Sequence, residues 1–353
     1  MGEIQLRPYQ SEAIDAIFRQ WDGENNRTLL VLPTGCGKTI CFAMVTKRLV
    51  DAGKRVLILA HRAELLDQAA DKLLKATGIY SCMEKAKDSA LGRMEMVTVG
   101  SVQTMQNQKR LSLFPKDYYD AIIIDEAHHC ISQSYRNVID YFSEACLLGV
   151  TATPDRGDMR GMNEVFNSIA YEYSLFEAIK SGYLSKIIVQ TIPLKIDLSG
   201  VHISQGDFAV NEVGNALDPY LPLIAAEMKK YCKNRKTVVF LPLVQTSQKF
   251  RDYLNENGFS ACEVNGNSKD REEVLADFDS GKYNVICNSM LLTEGWDCPS
   301  VDCVIVLRPT KVRALYSHAL VEWDDDALIV GLMTEKRWSS QPGILIRIED
   351  EFV

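Results

Sequence analysis

The chain has 353 residues, 46% of them hydrophobic and 24% charged, and a net charge of −8. It is long enough for two ordinary cores, and its net charge taken alone argues weakly against nucleic acid as a partner, although residues 321–353 hold −5 of it and leave −3 for residues 1–320. No apolar run reaches a membrane span or a signal peptide. The ten scattered cysteines contain no CxxC pair, which disfavours a zinc site and predicts reduced thiols in a cytoplasmic protein.

In chain order, residues 9–21 predict a helix with Ile14, Ile17, Phe18 and Trp21 on one face. TLLVLP (28–33) is a buried-strand run leading into TGCGKT and an apolar helix. RVLILA (55–60) is a second strand, and 61–78 a helix stopped by Gly78. EMVTVG, DAIIIDEA and ACLLGVTATP hold further strands. This alternation predicts a parallel α/β domain over 1–185. IIVQTIPLKIDL reads as an extended or hairpin linker within 186–216, and HISQGDFAVNEVGN as loop. Alternation resumes over 217–317: helix 221–233, strand TVVFLP, helix 246–257, FSACEV, a short helix near 269–280, then strands YNVICN and VDCVIVL.

Two motifs carry chemistry. In LPTGCGKT (32–39) a strand turns through Gly35 and Gly37 into a helix. Glycines let backbone N–H groups surround phosphates, with Thr34 and Cys36 contributing to the loop. Lys38 suits the β/γ phosphates and Thr39 a Mg²⁺ ion, which predicts ATP and Mg²⁺ as cofactors. The strict pattern has Gly where this chain has Leu32. In AIIIDEAHH (121–129), Asp125 and Glu126 follow a buried strand, at the end where open α/β sheets place their sites. Asp125 suits the metal shell, and Glu126 suits a base orienting water.

Together with GVTATP (149–154), these motifs resemble a superfamily 2 helicase of the DEAD/DEAH-box type, over roughly residues 5–317. The nearest resemblance is to type III restriction motor subunits and XPB-, UvsW- and RadD-like remodellers. It implies two tandem RecA-like P-loop NTPase domains and ATP-driven helicase or translocase action on nucleic acid, DNA more than RNA. The ATP site and a nucleic-acid groove would lie between or across the domains. LRPYQ then implies adenine reading by Arg7 and Gln10. ILAHRAELLDQ and TVGSVQTM imply backbone contacts by His61, Arg62, Ser101, Gln103 and Thr104. His128, Thr151 and Thr153 would couple hydrolysis to movement. LLTEGWDCP implies Thr293 on nucleic acid, and Gly295 and Asp297 on the nucleotide. As bare residues, His61 and Arg62 equally suit a strand-end cap, Ser101 and Thr104 suit turns, and His129 suits a structural role. Trp296 reads as packing rather than base stacking, and Cys36 as a backbone contributor.

One expected part is absent. The family closes with Q-x-x-G-R-x-x-R, yet no arginine lies between Arg313 and Arg337. The chain reads HALVEWDDD there, and residues 321–353 carry eight acids against three bases. Back-translating that stretch and restoring one purine in codon 318 permits Gln-Arg-Ile-Gly-Arg-Met-Gly-Arg-Arg. Residues 318–353 therefore read as an atypical acidic tail, out of frame with the body, and the second domain as incomplete. The alternatives are a diverged acidic C-terminus, a non-motor ATP- and nucleic-acid-binding protein, and the motor fragment of a restriction-type complex.

Overall fold

The computed structural model describes residues 5–23, 25–61, 63–152, 161–184, 188–191, 200–204, 207–289, 298, 300–308 and 328–331. The chain divides into two compact units, Met1–Ala178 and Ile179–Val353. The break falls before the expected boundary at 185.

The first unit is built on strands β1 (Arg27–Val31), β2 (Val56–Ala60), β3 (Ser81–Glu84), β4 (Val97–Ser101), β5 (Ala121–Asp125), β6 (Cys146–Thr151) and β7 (Ser168–Glu172). They form one parallel sheet in the order β3-β4-β2-β5-β6-β1-β7. All five residues of β2 are buried, as a strand covered on both faces requires. Each such aliphatic side chain contributes roughly 1.5–3 kcal/mol on leaving water. Helix Pro8–Trp21 starts with proline at its first position and buries Tyr9, Gln10, Ala13, Ile14, Ala16 and Ile17. Phe18 and Trp21, expected on that face, are only half-buried and meet edge to face at 5.4 Å.

Gly149 lets the centre of the sheet close. A Cβ there would lie 2.4 Å from Phe166 and 2.8 Å from Ala127 Cβ. At the sheet edge, the Glu84 carboxylate is fully buried. It accepts from Ala90 N (2.6 Å) and from the Arg110 guanidinium, which pins the 85–90 loop.

The second unit contains β8 (Ile188–Thr191), the antiparallel pair β9 (Ile203–Ser204) and β10 (Asp207–Phe208), then β11 (Thr237–Phe240), β12 (Ala261–Val264), β13 (Val285–Asn288), β14 (Cys303–Val306) and β15 (Leu328–Gly331). Six of these form a parallel sheet in the order β12-β13-β11-β14-β15-β8.

Three readings change here. IIVQT, expected as linker, supplies edge strand β8. HISQGDFAVNEVGN, expected as loop, holds the β9–β10 pair and leads into helix Val210–Leu217. That helix buries Val213, Gly214 and Leu217, and Gly214 lets Leu243 approach to 2.4 Å from where a Cβ would stand. A glycine lowers helix propensity by about 1 kcal/mol, so a tertiary contact concealed the local signal. Within the acidic tail, LIVG (328–331) pairs in register with both β14 and β8.

Candidate active site

The parallel strands end together, and their register assembles the site. Val31 pairs with Thr151, and Asp125 pairs with Val150, so the ends of β1, β6 and β5 lie side by side. Leu32 N donates to Thr151 O at 3.1 Å, which ties the entry of the glycine loop to β6.

In that loop Gly35 and Gly37 both hold left-handed backbone, at φ 79° and 75°. Gly37 caps helix Lys38–Asp51, so Lys38 and Thr39 open its first turn. A helix N-terminus presents free N–H groups and partial positive charge, a fit for an anion. Lys38 Nζ donates to Thr34 Oγ1 at 3.4 Å, back over the loop.

Helix Pro8–Trp21 braces the loop from outside. The Cys36 carbonyl accepts from Tyr9 Oη at 2.8 Å and from Gln10 Nε2 at 3.1 Å. Arg7 N donates to Gln10 Oε1 (3.0 Å), and an Arg7 guanidinium nitrogen donates to Tyr9 Oη (3.2 Å). Tyr9 also stacks on Tyr173 with ring centroids 4.6 Å apart. Burial pushes the Tyr9 phenol up to about 12, so it stays a donor. The Cys36 thiol is fully buried and pushed up by that burial, which leaves its carbonyl as the working group. Gln10 was singled out from the sequence; Tyr9 and Tyr173 were not. The stack joins residues 164 positions apart, beyond the reach of local pattern, although Tyr9 stood inside the quoted LRPYQ.

At the end of β5, Asp125 Oδ1 accepts from Glu126 N at 3.0 Å. Burial pushes the Asp125 carboxyl up to about 6; the Glu126 charge adds to this and the Lys38 ammonium opposes it. Lys38 and Asp125 therefore share one electrostatic environment. Glu126 sits in left-handed backbone at φ 53°, uncommon for a side-chain-bearing residue. It opens the 3₁₀ turn Ala127–Ile131. His128 Nδ1 lies 3.4 Å from Glu126 Oε2.

The ends of β2 and β4 lie alongside, with Ala60 paired to Ser101. Ser101 Oγ donates to Gln103 Oε1 (2.7 Å), and Gln103 Nε2 donates to His61 O (2.5 Å). Thr104 Oγ1 accepts from Ala86 N at 3.1 Å. These side chains thus fasten the loops to each other. The hydroxyl and amide groups also keep hydrogen-bonding capacity beyond these bonds.

Arg62, Thr153, Thr293, Gly295, Trp296 and Asp297 lie outside the described residues. Among the described residues, no group of three or more His, Cys, Asp and Glu side chains is arranged to hold a metal ion. None of the described helices is long and apolar enough to cross a membrane.

Comparison with known proteins agrees with this geometry. The family described as "Type III restriction enzyme, res subunit" matches residues 3–156, and "Helicase conserved C-terminal domain" matches residues 222–321. The "Putative ATP-dependent helicase IRC3" of Saccharomyces cerevisiae is 29% identical over 88% of this chain and 48% of its own length. The "DNA 3'-5' translocase XPB2" of Sulfurisphaera tokodaii is 25% identical over 94% of this chain and 82% of its own. The chain spans about half the length of its fungal relatives, 48% and 52%. Among solved structures, a fragment of a putative HsdR subunit of a type I restriction enzyme from Vibrio vulnificus superimposes with a TM-score of 0.72 at 21% identity, covering 92% of this chain and 64% of that one. With a glycine loop, an Asp-Glu strand end and two matched sequence families following in order, the chain belongs to the superfamily 2 helicases of the restriction-motor and XPB type.

Proposed function

We propose that the chain is an ATP-driven motor acting on DNA, with its nucleotide chemistry at the ends of β1, β5 and β6. The observation that carries this reading is the strand register, which sets the glycine loop beside Asp125 and Glu126.

In this reading the loop N–H groups and Lys38 hold the β/γ phosphates. Thr34, Gly35, Cys36 and Gly37 shape that cradle. Gln10 keeps a second amide N–H after its bond to Cys36 O, and with Arg7 reads the adenine edge. Thr39 and Asp125 hold Mg²⁺. One carboxylate and one hydroxyl suffice, because Mg²⁺ is commonly completed by phosphate oxygens and water. When bound, the ion neutralises charge developing on the transferred phosphoryl group. Glu126 orients the attacking water and accepts its proton. His128 and Thr151, with Thr153, couple this site to movement. His61, Ser101, Gln103 and Thr104, at the ends of β2 and β4, would contact the nucleic-acid backbone, and Arg62 and Thr293 are assigned the same role from their motifs. Gly295 and Asp297 serve the nucleotide. DNA is favoured over RNA because the archaeal relative carries the name of a DNA translocase over 94% of this chain. The first domain ends near residue 178 and the second includes β8 and β15, and the free, mostly buried cysteines suit a cytoplasmic setting.

Lys38→Ala should abolish ATP binding. Glu126→Gln should keep ATP binding and lower turnover by about 10²–10⁴-fold. Nucleotide titration alongside steady-state hydrolysis checks both; normal turnover by either variant would remove the assignment.

The missing arginine motif supports a second reading, an ATP- and nucleic-acid-binding protein that turns over slowly. A trans-acting arginine contributes about 10³–10⁵-fold where it has been measured. Fast DNA-dependent turnover would eliminate that reading.

A further inference from the structure

His129 is not assigned a role by the scheme above, yet it occupies a junction. Its ring lies against His61 on one side, with centroids 4.2 Å apart and planes tilted by 58°. On the other side it lies against His128, at 4.1 Å and 45°. His128 in turn reaches Glu126, with Nδ1 3.4 Å from Oε2. The far side of His61 is fixed as well, since its carbonyl accepts the Gln103 amide, which is itself held by Ser101. Three rings in contact therefore run from the ends of β2 and β4 to the carboxylate at the end of β5. His129 as a whole is half-buried, and its Nε2 edge is closed off from solvent, turned into the protein.

The position of Glu126 makes such a junction consequential. Its left-handed backbone, φ 53° and ψ 60°, is strained for a side-chain-bearing residue and persists only where neighbours hold it. The 3₁₀ turn that carries both His128 and His129 begins at this residue. Close-packed groups pass displacement on and do not absorb it.

We propose that His129 is a positioning residue whose ring, clasped between His61 and His128, transmits the state of the nucleic-acid-facing end of β2 to the Glu126 carboxylate. The inference rests on the proposed roles of Glu126 and His61. It predicts that His129 governs how strongly DNA stimulates hydrolysis, and leaves DNA affinity unchanged.

The test is steady-state ATP hydrolysis by the full chain with increasing duplex or single-stranded DNA, for wild type, His129→Ala, His129→Phe and the His61→Ala/His129→Ala pair. His129→Ala should lower the DNA-stimulated kcat tenfold or more. The half-stimulating DNA concentration should stay within twofold and the thermal midpoint unchanged. His129→Phe keeps ring contacts and should recover most of the loss. The double variant should reach a stimulated kcat no lower than His129→Ala alone. Full stimulation in His129→Ala overturns the inference, as does a phenylalanine variant as impaired as alanine. Loss that appears only with a lowered thermal midpoint assigns His129 a structural role and overturns it too. A wild-type chain that hydrolyses ATP without responding to DNA, or not at all, removes the functional reading itself and this inference with it.

Discussion

Asp125 and Gly37 show how the proposed nucleotide site strains the protein that carries it. The folded Asp125 carboxyl titrates near 6, above its ordinary value, because burial and Glu126 disfavour its charge. The protonated form is the one the fold prefers. Its stabilising contribution is complete below pH ~4 and is lost as pH rises through about 6, so at neutral pH the ionised group destabilises the metal-free chain. Asp125→Asn should therefore raise stability by roughly 1–3 kcal/mol at pH 7.5 in metal-free buffer. The gain should shrink toward pH 4. Thermal melts at both pH values check this, and equal gains at both would contradict it. Gly37 presents the converse case. Alanine there meets Gln10 Nε2 at 2.5 Å and must hold φ 75°, a conformation costing about 1–2 kcal/mol. Gly37→Ala should weaken ATP binding at least tenfold while the fold survives, as nucleotide titration with circular dichroism would report. Lys38, Asp125 and Glu126 could be picked out as candidates because each sits in a local motif, a buried strand running into a turn. The Tyr9–Cys36 bond and the His61–His129 contact were not, since each joins segments that only the folded sheet brings together.

At the scale of elements, continuous apolar runs announced β1, β2, β4, β5 and β6 of the first sheet and β11, β13 and β14 of the second, but not β3, β7 or β15. LLVL, VLIL, AIII and CLLGV all became buried parallel strands. What pattern could not supply was partnership. Among the described residues, strand β8 pairs with β15 alone, which lies over a hundred residues along the chain, so no local feature separates it from a linker. Helix Val210–Leu217 was obscured by Gly214, a residue chosen for its contact with Leu243 and against its own propensity. Gly149 follows the same logic inside β6. Gly149→Ala would press a methyl group to within 2.4 Å of Phe166 and 2.7 Å of Leu29. Overpacking of this kind costs typically 1–3 kcal/mol. The thermal midpoint should fall by several degrees, and an unchanged midpoint would mean that β6 can shift to make room.

For the molecule as a whole, the C-terminal tail is the place where family pattern and chain diverge. The lost arginine motif argues that residues 318–353 are out of frame, whereas LIVG (328–331) sits in register between two strands of the second sheet. These make opposite demands on the gene. Reading the nucleotides across codons 310–330 should reveal a one-base loss near codon 318 that, once restored, encodes Q-x-x-G-R-x-x-R; a restored frame without that motif would refute the reading. The net charge of −8 is compatible with the proposed motor. Contacts at a few strand ends suffice to bind a strand, and they leave the bulk balance untouched. The central claim is that the glycine loop and the Asp125–Glu126 strand end hydrolyse ATP under the control of nucleic acid. Its most direct test is Mg²⁺-dependent ATP hydrolysis by the 353-residue chain, with and without DNA, beside Lys38→Ala. The account predicts hydrolysis that rises with DNA and disappears in the variant; hydrolysis indifferent to DNA, or surviving Lys38→Ala, would contradict it.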